Sequence, residues 1–457
     1  EIEVVRTQLA QGLFEFLHGD EHEQNKRKRL KITLKPDVDY GKQSAAARHT
    51  GSPALIDAGP GTGKTSTLVM RVDYLLGEKG EDPGKMLILT FSNEAAATLR
   101  SRIAAKVGEE KAGQIEINTF HGFGYAFLLK RGGNLVHPDT TIIDEAAQIE
   151  FIERLLGSAD CEAVVNLRDL EETAVKIARH INHLKQRAVT PESLRRELKA
   201  WETAEPNERK AQAVARDILK VYDSYEKQLV KERVVDFADL INKPIELLEF
   251  GSAEAGGVSE LARAVREDYR WIMVDEYQDV TRSVSRLLQL IAGEDNPPWV
   301  VGDARQSIYE FLGAHRENIH QFERDFPGAQ VFELENNFRS SPEIVRAANQ
   351  LAALMEEPET TKGAKEPEKW TAATLTESYG KTPVLIAEAE TQEAEYRGVV
   401  SQVREWIADG VPPEFIAVLA RTNADVANLA VALAGENITA TVTGILDTDA
   451  VAGDLVS

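Results

Sequence analysis

The sequence predicts an α/β protein: two parallel-sheet domains, the second incomplete, with a helical insertion in the first. Three observations carry this. Short, wholly apolar runs such as Met86-Leu87-Ile88-Leu89 and Ile272-Met273-Val274 alternate with amphipathic stretches, as strands do when helices cover both faces of a sheet. Between about Tyr125 and Arg233 the strand signal disappears, and long helical periodicities such as Glu145 to Leu156 and Gln212 to Val230 replace it. With 457 residues the chain also exceeds what one core organises, so more than one domain is expected.

Taken in order, residues 1–40 are mixed and charged, reading as a helix (Val4 to Leu17) and a linker. The basic run Lys26-Arg27-Lys28-Arg29-Leu30-Lys31 fits a solvated linker better than a nucleic-acid contact. The first domain begins at 41–124, where the strand Ala54 to Asp57 runs into a glycine-rich turn and the helix Ser66 to Leu76. A second strand, Met86 to Thr90, and an alanine-rich helix, Asn93 to Val107, follow. The helical insertion occupies 125–232. The sheet pattern resumes over 233–328 with the strand Trp271 to Val274, the helix Ser283 to Ala292 and the strand Trp299 to Val301. Residues 329–457 form the second domain. There a polar stretch, Glu356 to Lys381, precedes a strand (Val384 to Ala387), a helix (Ala394 to Ala408), a strand (Ile416 to Ala420) and a helix (Ala424 to Ala434).

Composition narrows the function classes. An apolar fraction of 42% with 28% charged residues is that of a soluble globular protein. No apolar run is long enough to span a bilayer, so no membrane role is expected, and the N-terminus lacks a signal pattern. A lone cysteine, Cys161, cannot form an internal disulfide and fits a reducing interior, which places the protein in the cytoplasm. The chain opens on Glu1 rather than Met and reads as a fragment. Its net charge of -22 argues against a surface that binds polyanions indiscriminately, so any nucleic-acid groove is local.

Two distant segments read as one nucleotide-hydrolysing site. In Ala58-Gly59-Pro60-Gly61-Thr62-Gly63-Lys64-Thr65 the glycines free backbone N–H groups to wrap phosphate oxygens. Lys64 reaches the β and γ phosphates, and Thr65 offers a hydroxyl to Mg²⁺. In Ile272-Met273-Val274-Asp275-Glu276 an apolar strand ends in two carboxylates, one suited to the metal and one to the attacking water. Alone, such a turn also suits a kinase, a transporter ATPase or a GTPase, and an isolated Asp-Glu pair is most often a solvated turn. Taken singly, Phe91 and Phe120 fit core packing better than a binding surface, Arg339 reads as a surface ion pair, and His121 as an interior histidine.

The ordered set of motifs overturns those separate readings. Ala58 stands where the general phosphate-loop pattern has its first glycine, and this form resembles superfamily 1 helicases. The resemblance to the UvrD/Rep family of DNA helicases covers nearly all of residues 41–424. Leu89-Thr90-Phe91-Ser92-Asn93-Glu94-Ala95-Ala96, Asn118-Thr119-Phe120-His121 and Asp275-Glu276-Tyr277-Gln278-Asp279 look like its motifs Ia, Ib and II. Val301-Gly302-Asp303-Ala304-Arg305-Gln306-Ser307-Ile308-Tyr309 and Glu335-Asn336-Asn337-Phe338-Arg339-Ser340 look like motifs III and IV. Gln43, ten residues before Pro53, resembles the family's adenine-reading glutamine.

The resemblance implies two RecA-like domains and assigns roles that the residue chemistry supports. Residues Ala58 to Ser66 would bind the triphosphate of ATP, with Thr65 and Asp275 on Mg²⁺ and Glu276 orienting or deprotonating the water. Gln306 would sense the γ phosphate, and Arg339 would stabilise charge on the transferring group. Phe338 would stack on the adenine that Gln43 reads by its edge. Because Arg339 belongs to the second domain, the resemblance couples hydrolysis to domain movement. Phe91, Phe120, His121, Tyr309 and Phe311 fall on segments that resemble single-strand contacts, and stacking at about 1–3 kcal/mol per base tolerates any sequence.

Some positions depart from the family pattern. Ser66 stands where an arginine reaching the nucleotide is usual, and Arg305 where an acidic residue is common. Motifs V and VI belong beyond Ser457, so this segment alone is expected to bind ATP, turn it over poorly and not unwind. The implied activity is an ATP- and Mg²⁺-dependent motor of DNA repair type. It would track single-stranded DNA in the 3′ to 5′ sense and engage single-strand–duplex junctions. Alternatives are an ATP-gated DNA-binding or regulatory module, and a phosphate-loop ATPase acting on a protein partner.

Overall fold

The computed structural model describes residues 40–133, 140–157, 161, 170–201, 206–250, 258–307, 317–355, 371–372 and 384–442. The expected helix Val4 to Leu17 and the basic run from Lys26 lie outside them. Two compact units are present among the described residues, one spanning residues 40–335 and one built from residue 336 onward.

The first unit is organised by a six-stranded, wholly parallel sheet. Its strands are β1 (Ala54–Ala58), β2 (Met86–Thr90), β3 (Glu116–Thr119), β6 (Trp271–Val274), β7 (Trp299–Gly302) and β8 (Gln330–Leu334). Their spatial order is β3-β2-β6-β7-β1-β8. The continuous apolar runs are explained by burial on both faces. Leu55, Leu87, Leu89, Ile272, Val274 and Val300 enter one core, whereas Ala54, Ile56, Met86, Ile88, Met273 and Val301 enter the other. Period-two alternation thus sends neighbouring apolar residues to opposite cores.

Helices α1 (Gly41–Arg48), α2 (Lys64–Gly77) and α3 (Asn93–Val107) supply residues to the second of these cores. The first core is covered by α4 (Phe120–Arg131), α9 (Asp239–Glu249), α10 (Glu260–Asp268), α11 (Arg282–Ala292) and α12 (Glu317–Asp325). The contact of α4 with α9 is unusually close. A Cβ at Gly124 would lie 1.8 Å from the Leu240 carbonyl oxygen, so only glycine fits there.

The strand β8 corrects the expected domain boundary at 328. It pairs with β1 in register from Ala54↔Gln330 to Ala58↔Leu334, so the first sheet gains an edge strand from residues assigned to the second domain. Its pattern was hard to read because Gln330, Val331 and Glu333 are exposed, as an edge allows.

The insertion is helical, as expected, with α5 (Glu145–Leu156), α6 (Leu170–Gln186), α7 (Pro191–Ala200) and α8 (Pro206–Glu232). Phe151, Ile152, Ile177, Ile181, Val221, Tyr222 and Tyr225 give it a core of its own. Two short parallel strands, β4 (Thr141–Ile143) and β5 (Val234–Asp236), close its base, a feature not expected from the sequence.

In the second unit, β9 (Asn336–Asn337) and β10 (Thr371–Ala372) pair in parallel, and α13 (Pro342–Met355) follows β9. Helices α14 (Gln392–Ala408) and α15 (Asn423–Ala434) pack through Val399, Val400, Val403, Leu429 and Leu433. The segments expected as strands, Val384 to Ala387 and Ile416 to Ala420, form no ladder among the described residues. Leu385, Ile386 and Leu419 are exposed, and a strand without a paired neighbour has no hydrogen-bonded ladder to define it.

Candidate functional site

All parallel strands of the first unit point the same way, so the turns after them collect along one edge, where ligands of open α/β sheets bind. Several of the residues singled out in the sequence lie on those turns. Ala58 ends β1, Phe91 follows β2, Asp275 follows β6, and Asp303 to Gln306 follow β7. Because β7 lies between β6 and β1, the turn bearing Gln306 emerges between those bearing Asp275 and Lys64.

The phosphate loop is shaped by its glycines. Gly61 (φ 71°) and Gly63 (φ 92°) occupy conformations that side chains avoid. The Thr62 hydroxyl donates to the Gly59 carbonyl at 2.7 Å and closes the turn. With Gly63 as its N-cap, α2 receives no side-chain cap, so its leading N–H groups remain for an anion. Ser66 stands exposed on the first turn of this helix. Gln43, buried on α1, donates through Nε2 to the Thr62 carbonyl at 3.3 Å, while its Oε1 is buried without a partner. That orphaned acceptor suits the exocyclic amine of adenine.

Lys64, Glu276 and Gln306 are joined by a chain of contacts. Lys64 Nζ lies 3.4 Å from Glu276 Oε2, and Gln278 Nε2 donates to that same oxygen at 2.8 Å. Gln278 Oε1 accepts from the Asp303 N–H at 2.9 Å, and Asp303 Oδ2 accepts from Gln306 Nε2 at 2.8 Å. Arg305 contributes its backbone N–H to Asp303 Oδ1. Glu276 itself has φ 53°, a strained backbone for a non-glycine residue, and its N–H is held by Asp275 Oδ1 at 3.0 Å. Gly302 permits the close approach of this turn, since a Cβ there would meet Gln278 Oε1 at 2.7 Å.

The site is short of positive charge. Burial, and then the Glu276 carboxylate, push the Asp275 carboxyl up to about 7 against the pull of Lys64. The same causes push Asp279 up to about 7. A buried set of hard oxygen ligands with surplus negative charge fits a divalent cation such as Mg²⁺, and Asp275 with the Thr65 hydroxyl could hold it.

Those shifts set a sign for stability. Between about pH 4 and 7 the folded chain keeps protons that the unfolded chain has released, so these carboxyls destabilise the fold increasingly as pH rises. In thermal melts without ligand, Asp275→Asn is expected to gain Tm over the unaltered chain as pH goes from about 5 to about 8. A constant gap would mean that Asp275 titrates normally.

The aromatic candidates separate into two kinds. Phe91 is exposed beside the end of β2. His121 stacks on Phe237 with ring centroids 3.9 Å apart and planes 20° apart, and burial pushes its pKa down to about 4, leaving it neutral at pH 7. Phe120 is a correction: at 5% exposure its ring packs in the first core and has no face for a nucleic-acid base. Tyr309 and Phe311 lie outside the described residues. Phe237, 58% exposed, is not itself among the expected strand contacts, although it lies in Val235-Asp236-Phe237-Ala238-Asp239-Leu240, which resembles a further family segment at the return from the helical insertion. Gln278, Asp279 and Asp303 were also missed as site residues, because their importance lies in contacts between turns.

Phe338 and Arg339 belong to the second unit. They leave β9 on a turn held by Asn337 Oδ1, which accepts the N–H groups of Arg339 (2.9 Å) and Ser340 (2.8 Å). Among the described residues, no helix is long and apolar enough to cross a membrane.

Comparison with known proteins agrees with this arrangement. The sequence model of the UvrD/REP helicase N-terminal domain matches residues 40–327, and that of the UvrD-like helicase C-terminal domain matches residues 332–447. The chain is 34% identical over 383 residues to the ATP-dependent DNA helicase PcrA of Staphylococcus epidermidis, covering 84% of this chain and 48% of that protein. It is 32% identical over 396 residues to the ATP-dependent DNA helicase UvrD1 of Mycobacterium bovis, covering 83% of this chain and 46% of that protein. The chain thus spans about half the length of the curated relatives it matches. With the glycine-rich loop, the paired carboxylates and Gln306 on one sheet edge, and both domain models matched in order, the chain belongs to the UvrD/REP family of DNA helicases.

Proposed function

We propose that this chain is the nucleotide-hydrolysing part of a DNA motor that uses ATP and Mg²⁺ to move along single-stranded DNA in the 3′ to 5′ sense and to open single-strand–duplex junctions. The observation that supports it best is the linked set Lys64, Glu276, Gln278, Asp303 and Gln306 beside an uncapped helix N-terminus. Bound Mg²⁺ would neutralise charge between the β and γ phosphates, held by Thr65 and Asp275. The loop N–H groups and Lys64 hold the triphosphate, Gln43 offers its free acceptor to adenine, and Glu276 takes the proton of the attacking water. Gln306 shares Asp303 with the turn that carries Glu276, so occupancy of the γ position and the turn after β7 move together. In the second unit, Phe338 is assigned to the adenine face and Arg339 to the transferring phosphoryl group.

The strand-facing surface in this reading is built on Phe91 and the His121–Phe237 stack; Tyr309 and Phe311 are given the same role by the family resemblance alone. Such faces account for DNA binding by an acidic protein, because stacking needs no basic patch. Steady-state ATP turnover is expected to rise when single-stranded oligonucleotide is added. Phe237→Ala is expected to weaken oligonucleotide binding by about 1–3 kcal/mol. Turnover that ignores DNA would favour an ATPase acting on a protein partner.

A further inference from the structure

Arg71 is 3% exposed and sits among groups that are not carboxylates. Its guanidinium lies 5.7 Å from the Trp271 ring centroid and 5.3 Å from that of Trp299. Through Nη1 it donates to the carbonyls of Ala47 (3.2 Å) and His49 (2.6 Å). Trp299 Nε1 adds a bond to the Ala46 carbonyl at 2.9 Å. Ala46 to His49 form the C-terminal end of α1, where helix carbonyls lack intrahelical partners and the helix dipole favours a cation. The N-terminus of α1 has no side-chain cap, whereas its last carbonyls are bonded by Arg71 and Trp299.

The same short helix carries Gln43, one turn before Ala47 and in contact with the Thr62 carbonyl. Arg71 in turn stands seven residues after Lys64 on α2, two turns along the same face. One rigid helix therefore sets the position of the phosphate-binding lysine and, through Arg71, the position of α1. We infer that Arg71 is a positioning residue for base recognition: held between Trp271 and Trp299, it grips the last carbonyls of α1 and fixes the depth at which Gln43 meets the purine edge. This rests on the adenine-reading role proposed for Gln43. Its free Oε1 accepts from the amine of adenine, whereas guanine presents a carbonyl at the equivalent position, so a displaced Gln43 forfeits the distinction between the two.

The test uses the full chain and calorimetric titration with the γ-thio analogues of ATP and GTP, and with inorganic tripolyphosphate, which reports the phosphate loop alone. The unaltered chain is expected to prefer the ATP analogue, and Gln43→Ala to lose that preference. Arg71→Met is expected to reduce the preference about tenfold while tripolyphosphate affinity stays within about twofold. Adding Gln43→Ala to Arg71→Met should then cause no further loss, and Arg71→Lys should recover part of the preference. A residue that merely holds the fold together would weaken all three ligands by one factor or leave the ATP-to-GTP ratio as it was, and either result overturns the inference. Should Arg71→Met not fold, Arg71→Lys carries the test, since it keeps the charge but replaces the planar donor fork that grips the Ala47 and His49 carbonyls; a ratio equal to that of the unaltered chain overturns it equally. If Gln43→Ala keeps the ratio, the base-reading role itself is wrong, which is distinguishable from a failure confined to Arg71.

Discussion

Glu276→Gln is expected to bind ATP normally and to hydrolyse it about 10²- to 10⁴-fold more slowly. The two carboxylates after β6 are not equivalent. Asp275 is 4% exposed and faces the interior, whereas the Glu276 side chain is 35% exposed, so it is the one that water can reach. Its Oε2 is already oriented by Lys64 and by the Gln278 amide. Glutamine preserves size and hydrogen bonding at that position but cannot accept the proton of the attacking water. Nucleotide binding and single-turnover hydrolysis measured on one preparation separate the two effects, with Lys64→Ala as the variant that loses tight binding instead. Turnover above about a tenth of the unaltered rate would remove Glu276 from its role and transfer it to Asp279, whose carboxyl feels the same Glu276 and Lys64 charges.

The geometry of the candidate nucleotide site was largely legible in the sequence, and the reason is local. A phosphate loop is a contiguous backbone shape, so Gly61, Gly63 and Lys64 declare it within eight residues. Strands covered on both faces also declare themselves, and Met86–Thr90 and Trp271–Val274 form where their apolar runs stand. Legibility fails where a feature depends on a partner far along the chain. The amphipathic edge strand β8 is a strand only because β1 pairs with it, and Val384 to Ala387 has the strand pattern without the ladder. Phe120 and Phe91 look alike in sequence, yet one side chain is packed within the core and the other is exposed. The bonds of Gln278 to Glu276 and Asp303, and of Arg71 to α1, join segments whose proximity only the fold creates.

The largest effect on stability is expected from a residue with no part in the nucleotide site. Lys185, 2% exposed on α6, places its ammonium 2.6 Å from Asp236, 2.9 Å from Asp239 and 2.7 Å from Glu226. Tyr225 also donates to Asp236, so the cluster joins α6, α8 and the short strand β5 at the base of the insertion to α9 of the sheet-based core. Burial alone pushes the lysine pKa down, but Asp239, Asp236 and Glu226 together outweigh it and hold it well above the usual value. Burial likewise pushes Asp239 up, and Lys185 with Lys243 outweighs it and holds that carboxyl below its usual range. By linkage, the Lys185 contribution is complete below the ordinary lysine pKa, and that of Asp239 is complete above the ordinary aspartate pKa and lost in acid. Both are therefore present at neutral pH. Lys185→Met leaves buried carboxylates facing one another with only Lys243, 3.8 Å from Asp239, as a neighbouring cation, which costs about 3–5 kcal/mol, more than an exposed ion pair could. Urea denaturation near neutral pH should show that loss, and hydrogen exchange should show α6 and α8 opening before the sheet. With the Lys185 ammonium gone, the largest charge opposing burial is lost, so the carboxyls take up protons more readily and the deficit is expected to shrink as pH is lowered. A cost below about 1 kcal/mol at neutral pH, or one that grows in acid, would mean that water already reaches the cluster and that the insertion is held to the core by its apolar contacts instead.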